Sequence, residues 1–410
     1  MRGLYVLKKL SLLSSLALIS IGSYFSSASD ELHDILSNNQ DAMLDYKEEQ
    51  SSVNAQKLED SWINPIRLQY SKNWSTQFNS TVGTGQFLIS VDQPIFKSGG
   101  IWAGLKYAKY QDQANSIDVE LQRRELISKA INILYSLKKS QLQLQKLDLL
   151  IKNDELDMLI QKESYDAGLT NRTLYDQALL KHNKDITAKL DIDLSVAELE
   201  NKFALLSDDD PYKIKTPTFA MIDEKRYNEN QLELKRDNLR IEEKNQYKKM
   251  TWAKYLPEVA LTGRYIKEDL NPLFAQPNSS LKRNYFNYGF RVSIPLNINM
   301  TKDIQLSKID YMNAQVARDE KKKEIANRFK LIKERLKIID KKIALSEEDA
   351  NHYANMYAVA LDLEQAGDAT SYDTEIITNT LEVRKIDQDI YKYDAQIELL
   401  GLYTKVVDAR

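Results

Sequence analysis

Proline sets the tightest limit on what this chain can fold into. All eight prolines fall outside four tracts, roughly 101–167, 171–206, 302–365 and 370–407. A run of more than sixty residues without proline and nearly without glycine spans about 100 Å as one helix, at about 1.5 Å per residue. That is longer than an ordinary globular helix. Periodicity agrees. In the third tract Ile325, Phe329, Ile332, Leu336, Ile339, Ile343, Ser346, Ala350, Tyr353, Tyr357 and Ala360 alternate by four and three. This is the heptad seam of a left-handed coiled coil. Val383, Ile386, Ile390, Tyr393, Ile397 and Leu400 keep the same rhythm in the fourth tract. The first tract carries two stripes: Leu126, Ala130, Ile133, Leu137, Ser140, Leu144, Leu147 and Ile151, and then Ile127, Ile131, Leu134 and Leu142. Two stripes predict neighbours on two sides, as in a helical sheet or tube.

Two segments change period. Over 63–97, Ile66, Leu68, Tyr70, Trp74 and Phe78 share one face and Arg67, Gln69, Ser71, Asn73, Ser75 and Gln77 the other, with Lys72 the exception on the apolar face. The stretch "NSTVGT" reads as the turn, after which Phe87, Ile89 and Val91 resume. Over 257–295, Val259, Leu261 and Tyr265 alternate with Thr262 and Arg264. The loop "NPLFAQPNSS" follows, and then Phe286, Tyr288, Phe290, Val292 and Ile294 alternate with Asn287, Arg291 and Ser293. Period two with one apolar and one polar face marks either a half-buried sheet or a transmembrane barrel. Polar opposite faces, together with the export signal read below, favour lipid on the apolar side.

The two halves match. Pro94 and Pro295 are 201 residues apart, and Gly168 and Gly367 are 199 apart. Strand, loop, strand, long helix, Ala-Gly and second helix occur twice in the same order, which is an internal duplication. The expected organisation is a signal peptide at 1–28 and a first repeat at 29–206, comprising a lead-in helix, strands at about 63–97 and a helical hairpin at about 101–206. A linker at 207–222 joins it to a second repeat at 223–410, comprising a helix, strands at about 257–295 and a hairpin at about 302–407.

The signal peptide is read from basic Arg2, Lys8 and Lys9, the apolar run Leu10–Ile21 and the small residues Ser26-Ser27-Ala28. The run is short for an uncleaved anchor helix. With no cysteine, neither disulfides nor an acylated cysteine are expected. Of 57 basic residues, removal of those three leaves 54 against 60 acidic, a net of −6. That speaks against a nucleic-acid partner. His33, His182 and His352 are far apart, and no phosphate-binding glycine loop occurs. No catalytic, cofactor or metal constellation emerges, so the expectation is a non-enzyme.

Four strands cannot close a barrel, which needs about eight or more. Strands are therefore expected to pool between chains, three copies giving twelve. At this point the chain resembles the TolC family of outer-membrane efflux proteins. The resemblance rests on the two-fold repeat, on "QPIFKSGG" at Gln93–Gly100 with "IPLN" at Ile294–Asn297, and on the tips "AGLTNRTLYDQA" at Ala167–Ala178 and "AGDATSYDTE" at Ala366–Glu375. It implies an α+β membrane protein: a homotrimer whose twelve-stranded barrel crosses the outer membrane lipid and continues into an α-helical tunnel. It also implies an exit duct for small-molecule efflux or type I secretion, a periplasmic adaptor and an inner-membrane transporter of RND or ABC type as partners, and no cofactor. A periplasmic coiled-coil adaptor, or a structural interaction protein, is the alternative.

The resemblance assigns the tips to docking and gating. Gly168, Leu169, Thr170, Gly367 and Ala369 become docking candidates, and Asp373, then Glu375 and Asp368, become candidates for an acidic ring at the periplasmic mouth. Leu174 stands where the family carries an Asp, with Asp176 two residues on, and Ile376 stands at a second acidic position. Glu364 and Ala369 are found where some relatives carry latch residues. The same acids also suit a first helical turn, where the dipole favours negative charge. Arg67, Arg264 and Arg291 lie on the polar strand faces. They either line a barrel lumen or pair with acids such as Asp92.

Overall fold

Four long helices fill the four proline-free tracts. The computed structural model describes residues 35–76, 81–268 and 282–407. The signal peptide, His33, Gln77, Phe78 and the loop 271–280 lie outside them. In chain order come α1 (Asn38–Glu59), a single 3-10 turn (Asp60–Trp62), β1 (Arg67–Ser75), β2 (Val82–Phe96), α2 (Gly100–Asp166) and α3 (Arg172–Ala204). Then follow α4 (Glu224–Glu229), α5 (Leu232–Ala253), β3 (Glu258–Glu268), β4 (Asn284–Ser293), α6 (Met300–Ala366) and α7 (Ser371–Tyr403). The duplication is visible in the lengths. α1 and α5 each have 22 residues, α2 and α6 each 67, and α3 and α7 each 33. Among the described residues no helix is long and apolar enough to cross a membrane.

The strands form one antiparallel sheet in the order β1-β2-β3-β4, so β2 and β3 join the two repeats directly. Its register fixes the faces. Leu68, Ile89, Tyr265 and Phe286 form one row, and Arg67, Ser90, Arg264 and Asn287 form the next row on the opposite face. At Pro94 the ladder slips before Phe96 pairs with Val259. Proline has no N–H to donate, so a bulge there is the low-cost solution. The turn differs from the sequence reading. Ser75 already pairs with Val82, and Gly83 and Thr84 belong to β2. Gly83 serves a packing purpose: a Cβ there would stand 3.3 Å from the Trp74 indole nitrogen.

Two compact units emerge, and each draws on both repeats. One comprises 39–125 with 222–338 and contains the sheet. Its helical core centres on Tyr227 and Phe329, 1% and 2% exposed, with ring centroids 5.1 Å apart. Ion pairs tie the surrounding helices. Arg123 binds Asp41 and Asp45 at 2.5 and 2.7 Å, and Asp118 accepts from Arg236 at 3.1 Å and Arg240 at 2.9 Å.

The other unit comprises 35–38, 126–221 and 339–407 among the described residues. Here the two stripes of α2 are both used: Ala130, Leu137 and Ser140 of the first and Ile131 and Leu134 of the second are buried, as is Tyr135 beside them. Residues 205–223 form no helix or strand, yet they are packed. Tyr135 donates to the Pro217 carbonyl. Gln396 pairs with both backbone groups of Phe219, at 2.7 and 3.3 Å, and Phe219 stacks on Tyr403 at 4.8 Å. The side-chain amide satisfies both half-buried backbone groups of Phe219 as a neighbouring strand would. Of the α6 and α7 seams, Ser346, Ala350, Ala360, Val383, Ile386, Ile390 and Leu400 are buried, Tyr353, Tyr393 and Ile397 are half-buried and Tyr357 is exposed.

Candidate functional site

The sheet presents an unusual outer face. Leu68, Tyr70, Trp74, Phe286, Tyr288 and Phe290 are all exposed, Tyr288 to 90%. They occupy one face because side chains alternate along each strand. Isolated exposed apolar residues are ordinary, but a contiguous aromatic face marks an interaction with lipid or protein. The opposite face carries hydroxyls, amides and charge. Arg291 binds Asp92 at 2.7 Å, Lys97 approaches Glu258 at 3.8 Å, and Gln86 donates to Glu268 at 3.2 Å. Of the three arginines expected on this face, Arg291 has found the acid and Arg67 and Arg264 have none among the described residues.

Both hairpin tips end their first helix in the same way. Gly168 and Gly367 have φ of 70° and 82°. At the first, Leu169 N–H donates to Ser164 and Gly168 N–H to Tyr165, both at 2.9 Å. At the second, Asp368 N–H donates to Leu363 at 2.9 Å and Gly367 N–H to Glu364 at 3.1 Å. These are Schellman caps, which need a left-handed residue and so favour glycine.

The starts of the second helices differ. Asn171 makes no side-chain cap, whereas Thr370 and Asp373 form a reciprocal capping box. Asp373 Oδ2 accepts from the Thr370 N–H at 3.2 Å and its hydroxyl at 2.7 Å. Glu375 binds Lys152 at 2.6 Å. Asp368 and Leu169 are exposed, Leu169 to 79%. The three acidic candidates thus sit in different settings: one capping, one paired and one free in solvent. Asp176 pairs loosely with Arg172 at 3.6 Å.

Below the first tip lies a buried ion pair that the sequence reading did not single out. The Asp154 side chain is fully buried, and Lys181 donates to its Oδ1 at 2.5 Å. Its Oδ2 has no partner. Next to it Asn153 joins α2 to α7, accepting from Asn379 at 2.9 Å and donating to Thr380 at 3.2 Å. Burial raises the Asp154 carboxyl above the ordinary range, and the Lys181 ammonium only partly offsets this while Asp185 adds like charge.

A raised folded-state value means the native chain binds the proton more tightly than the unfolded one. Stability from this group is therefore greatest at low pH and falls as pH rises through the folded value. Lys181→Met removes the compensating cation. It is expected to cost about 1–3 kcal/mol at neutral pH. Thermal melts should show the gap to the parent protein narrowing as pH is lowered. A gap that is constant across pH would show that the lysine contributes only packing.

His182 lies 3.7 Å from Glu155 and His352 3.8 Å from Glu348. Neither belongs to a group of three or more metal-ligating side chains among the described residues.

No protein-family model and no curated protein matches the sequence. Solved structures do match the fold. The outer membrane protein VceC of Vibrio cholerae superposes with a TM-score of 0.73 at 13% identity, over 92% of this chain and 95% of that one. The Campylobacter jejuni CmeC outer membrane channel gives 0.71 at 14% identity, over 92% and 84%. The Neisseria gonorrhoeae MtrE outer membrane channel gives 0.65 at 10% identity, over 92% and 88%. Over about nine-tenths of its length the chain has the fold of these outer membrane proteins.

Proposed function

We propose that the protein is an outer-membrane duct: a trimer whose pooled strands form a twelve-stranded barrel in lipid and whose helical hairpins form a tunnel on the periplasmic side. The observation that carries this reading is the two-faced, four-stranded sheet. One face is aromatic and exposed and the other polar. β1 and β4 each have one edge with no strand beside it among the described residues. Unpaired edges are costly in hydrocarbon, where only closed barrels and helices satisfy the backbone. Joining β4 of one copy to β1 of the next removes every edge.

Exposed apolar residues on the helices support assembly as well. Leu180, Leu190 and Leu194 on α3, and Leu345, Met356 and Val359 on α6, face solvent in a single chain. Leu180 and Leu194, like Leu345 and Val359, are spaced by multiples of seven, the spacing of an unfilled coiled-coil seam. The named channels that share the fold agree with this reading. The duct would serve efflux of small molecules or secretion, in partnership with a periplasmic adaptor and an inner-membrane RND or ABC transporter. The exposed tips around Leu169 and Ala369 would form the docking end.

Fractionation tests the placement. The protein is expected in the outer-membrane fraction and, after detergent extraction, at the mass of three chains. Recovery as a soluble periplasmic monomer would contradict the duct. The gate is tested at Asp373. Asn keeps a carbonyl to accept from Thr370, so the cap survives while the charge is lost. Asp373→Asn is expected to weaken block of the channel by divalent cations about tenfold, since three charges leave one ring. Unchanged block would show that Asp373 serves only the cap.

A further inference from the structure

One row on the polar face of the sheet contains two arginines and no acid. The register aligns Arg67, Ser90, Arg264 and Asn287 across all four strands. Strands lie about 4.8 Å apart, so the two arginines in the row are separated by about 10 Å at the backbone, with a serine between them. Both are exposed. Of the three acids that the strands place on this face, Asp92 is paired with Arg291 and Glu258 with Lys97, and Glu268, hydrogen-bonded to the Gln86 amide, lies four residues along β3 from the arginine row. Arg67 and Arg264 have no acidic partner among the described residues. The rest of their row offers a hydroxyl and an amide, both able to donate to an anion. Behind the row stands the aromatic face. A low-dielectric wall of that kind concentrates the field of the charges on the wet side.

We propose that Arg67 and Arg264 form an anion-attracting belt inside the barrel and bias the duct toward anionic solutes, of the carboxylate or phosphate class. The belt rests on the duct reading, in which three copies would supply six guanidiniums to one band of the lumen, three from each position. Arginine suits the task because its planar fork stays charged at any working pH and binds carboxylate or phosphate through two parallel N–H groups. The sheet then opposes the helical tips, where carboxylates dominate.

The test is reversal potential in planar bilayers under a potassium chloride gradient. Replacing both residues, Arg67→Gln with Arg264→Gln, is expected to lower the chloride-to-potassium permeability ratio about threefold at 0.1 M salt. The effect should largely vanish at 1 M, where the screening length falls from about 10 Å to about 3 Å. The charge-conserving pair Arg67→Lys with Arg264→Lys should hold the parent ratio. A second arm uses the unaltered protein: citrate, a trivalent carboxylate, is expected to reduce chloride current at millimolar concentration. Channels whose ratio does not move in the glutamine pair, or parent channels insensitive to citrate, would overturn the belt and leave the duct standing. Absence of any conductance from the parent protein would overturn the duct itself.

Discussion

Arginine at Phe286 and Phe290 is expected to abolish assembly in the outer membrane. Both rings are 74% exposed on the apolar face of β4. Phe286 stacks on Tyr265 at 4.8 Å, in the row shared with Leu68 and Ile89, and Phe290 faces Leu261. On a lipid-facing strand each arginine costs about 2–4 kcal/mol near the bilayer midplane. The pair is repeated in every copy of a trimer, so the penalty exceeds what marginal stability tolerates. The matched control is Asn287→Arg on the same strand, which points to the polar face and should be tolerated. The readout is the amount of trimer in the outer-membrane fraction. Normal trimer from the double variant would mean that the aromatic face meets something other than lipid.

Phe329→Ala is expected to be the most damaging single truncation in the helical core of the sheet-bearing unit. The ring is 2% exposed and lies against Tyr227, itself 1% exposed, with Ile325 one turn away at 1%. Removing it deletes the buried area and leaves a cavity that rigid helices cannot close, a loss of about 3–5 kcal/mol. Lys330→Ala, on the exposed side of the same helix, should change stability by no more than about 0.5 kcal/mol. Chemical denaturation of the detergent-solubilised protein compares them directly. Equal midpoints would show that the Tyr227–Phe329 contact contributes no stability.

Much of this architecture could be read from local pattern. Helix tracts followed from missing prolines, the seams from heptads, the sheet faces from alternation, and the reversals from two glycines at matching offsets. The two reversals are sharply placed because each rests on the left-handed backbone that glycine accepts. The sequence is least decisive where a local signal has two physical meanings. "VGT" resembles a turn, but Gly83 is a strand residue beneath the Trp74 indole. Asp373 fits an acidic ring and equally fits the capping box with Thr370, and spacing alone does not separate the two.

The missed ion pairs had a usable signal. Asp154 and Lys181 lie 14 and 13 residues from Gly168, and Asp148 and Lys189 lie 20 and 21 from it. Folding the sequence back at the tip glycine places opposite charges at equal depth on antiparallel helices. The contacts of the linker had no such signal. Gln396 meets Phe219 across 177 residues, and Tyr135 meets Pro217 across 82. No periodicity records a side-chain amide that completes a distant backbone.

The central claim is that this chain makes a water-filled path through lipid, and single-channel recording tests it most directly. The purified, detergent-extracted protein is expected to insert into planar bilayers and produce discrete, uniform conductance steps. Arginine at Phe286 and Phe290 should eliminate those steps, and Asn287→Arg should not. Bilayers that stay silent with correctly folded parent protein would contradict the account.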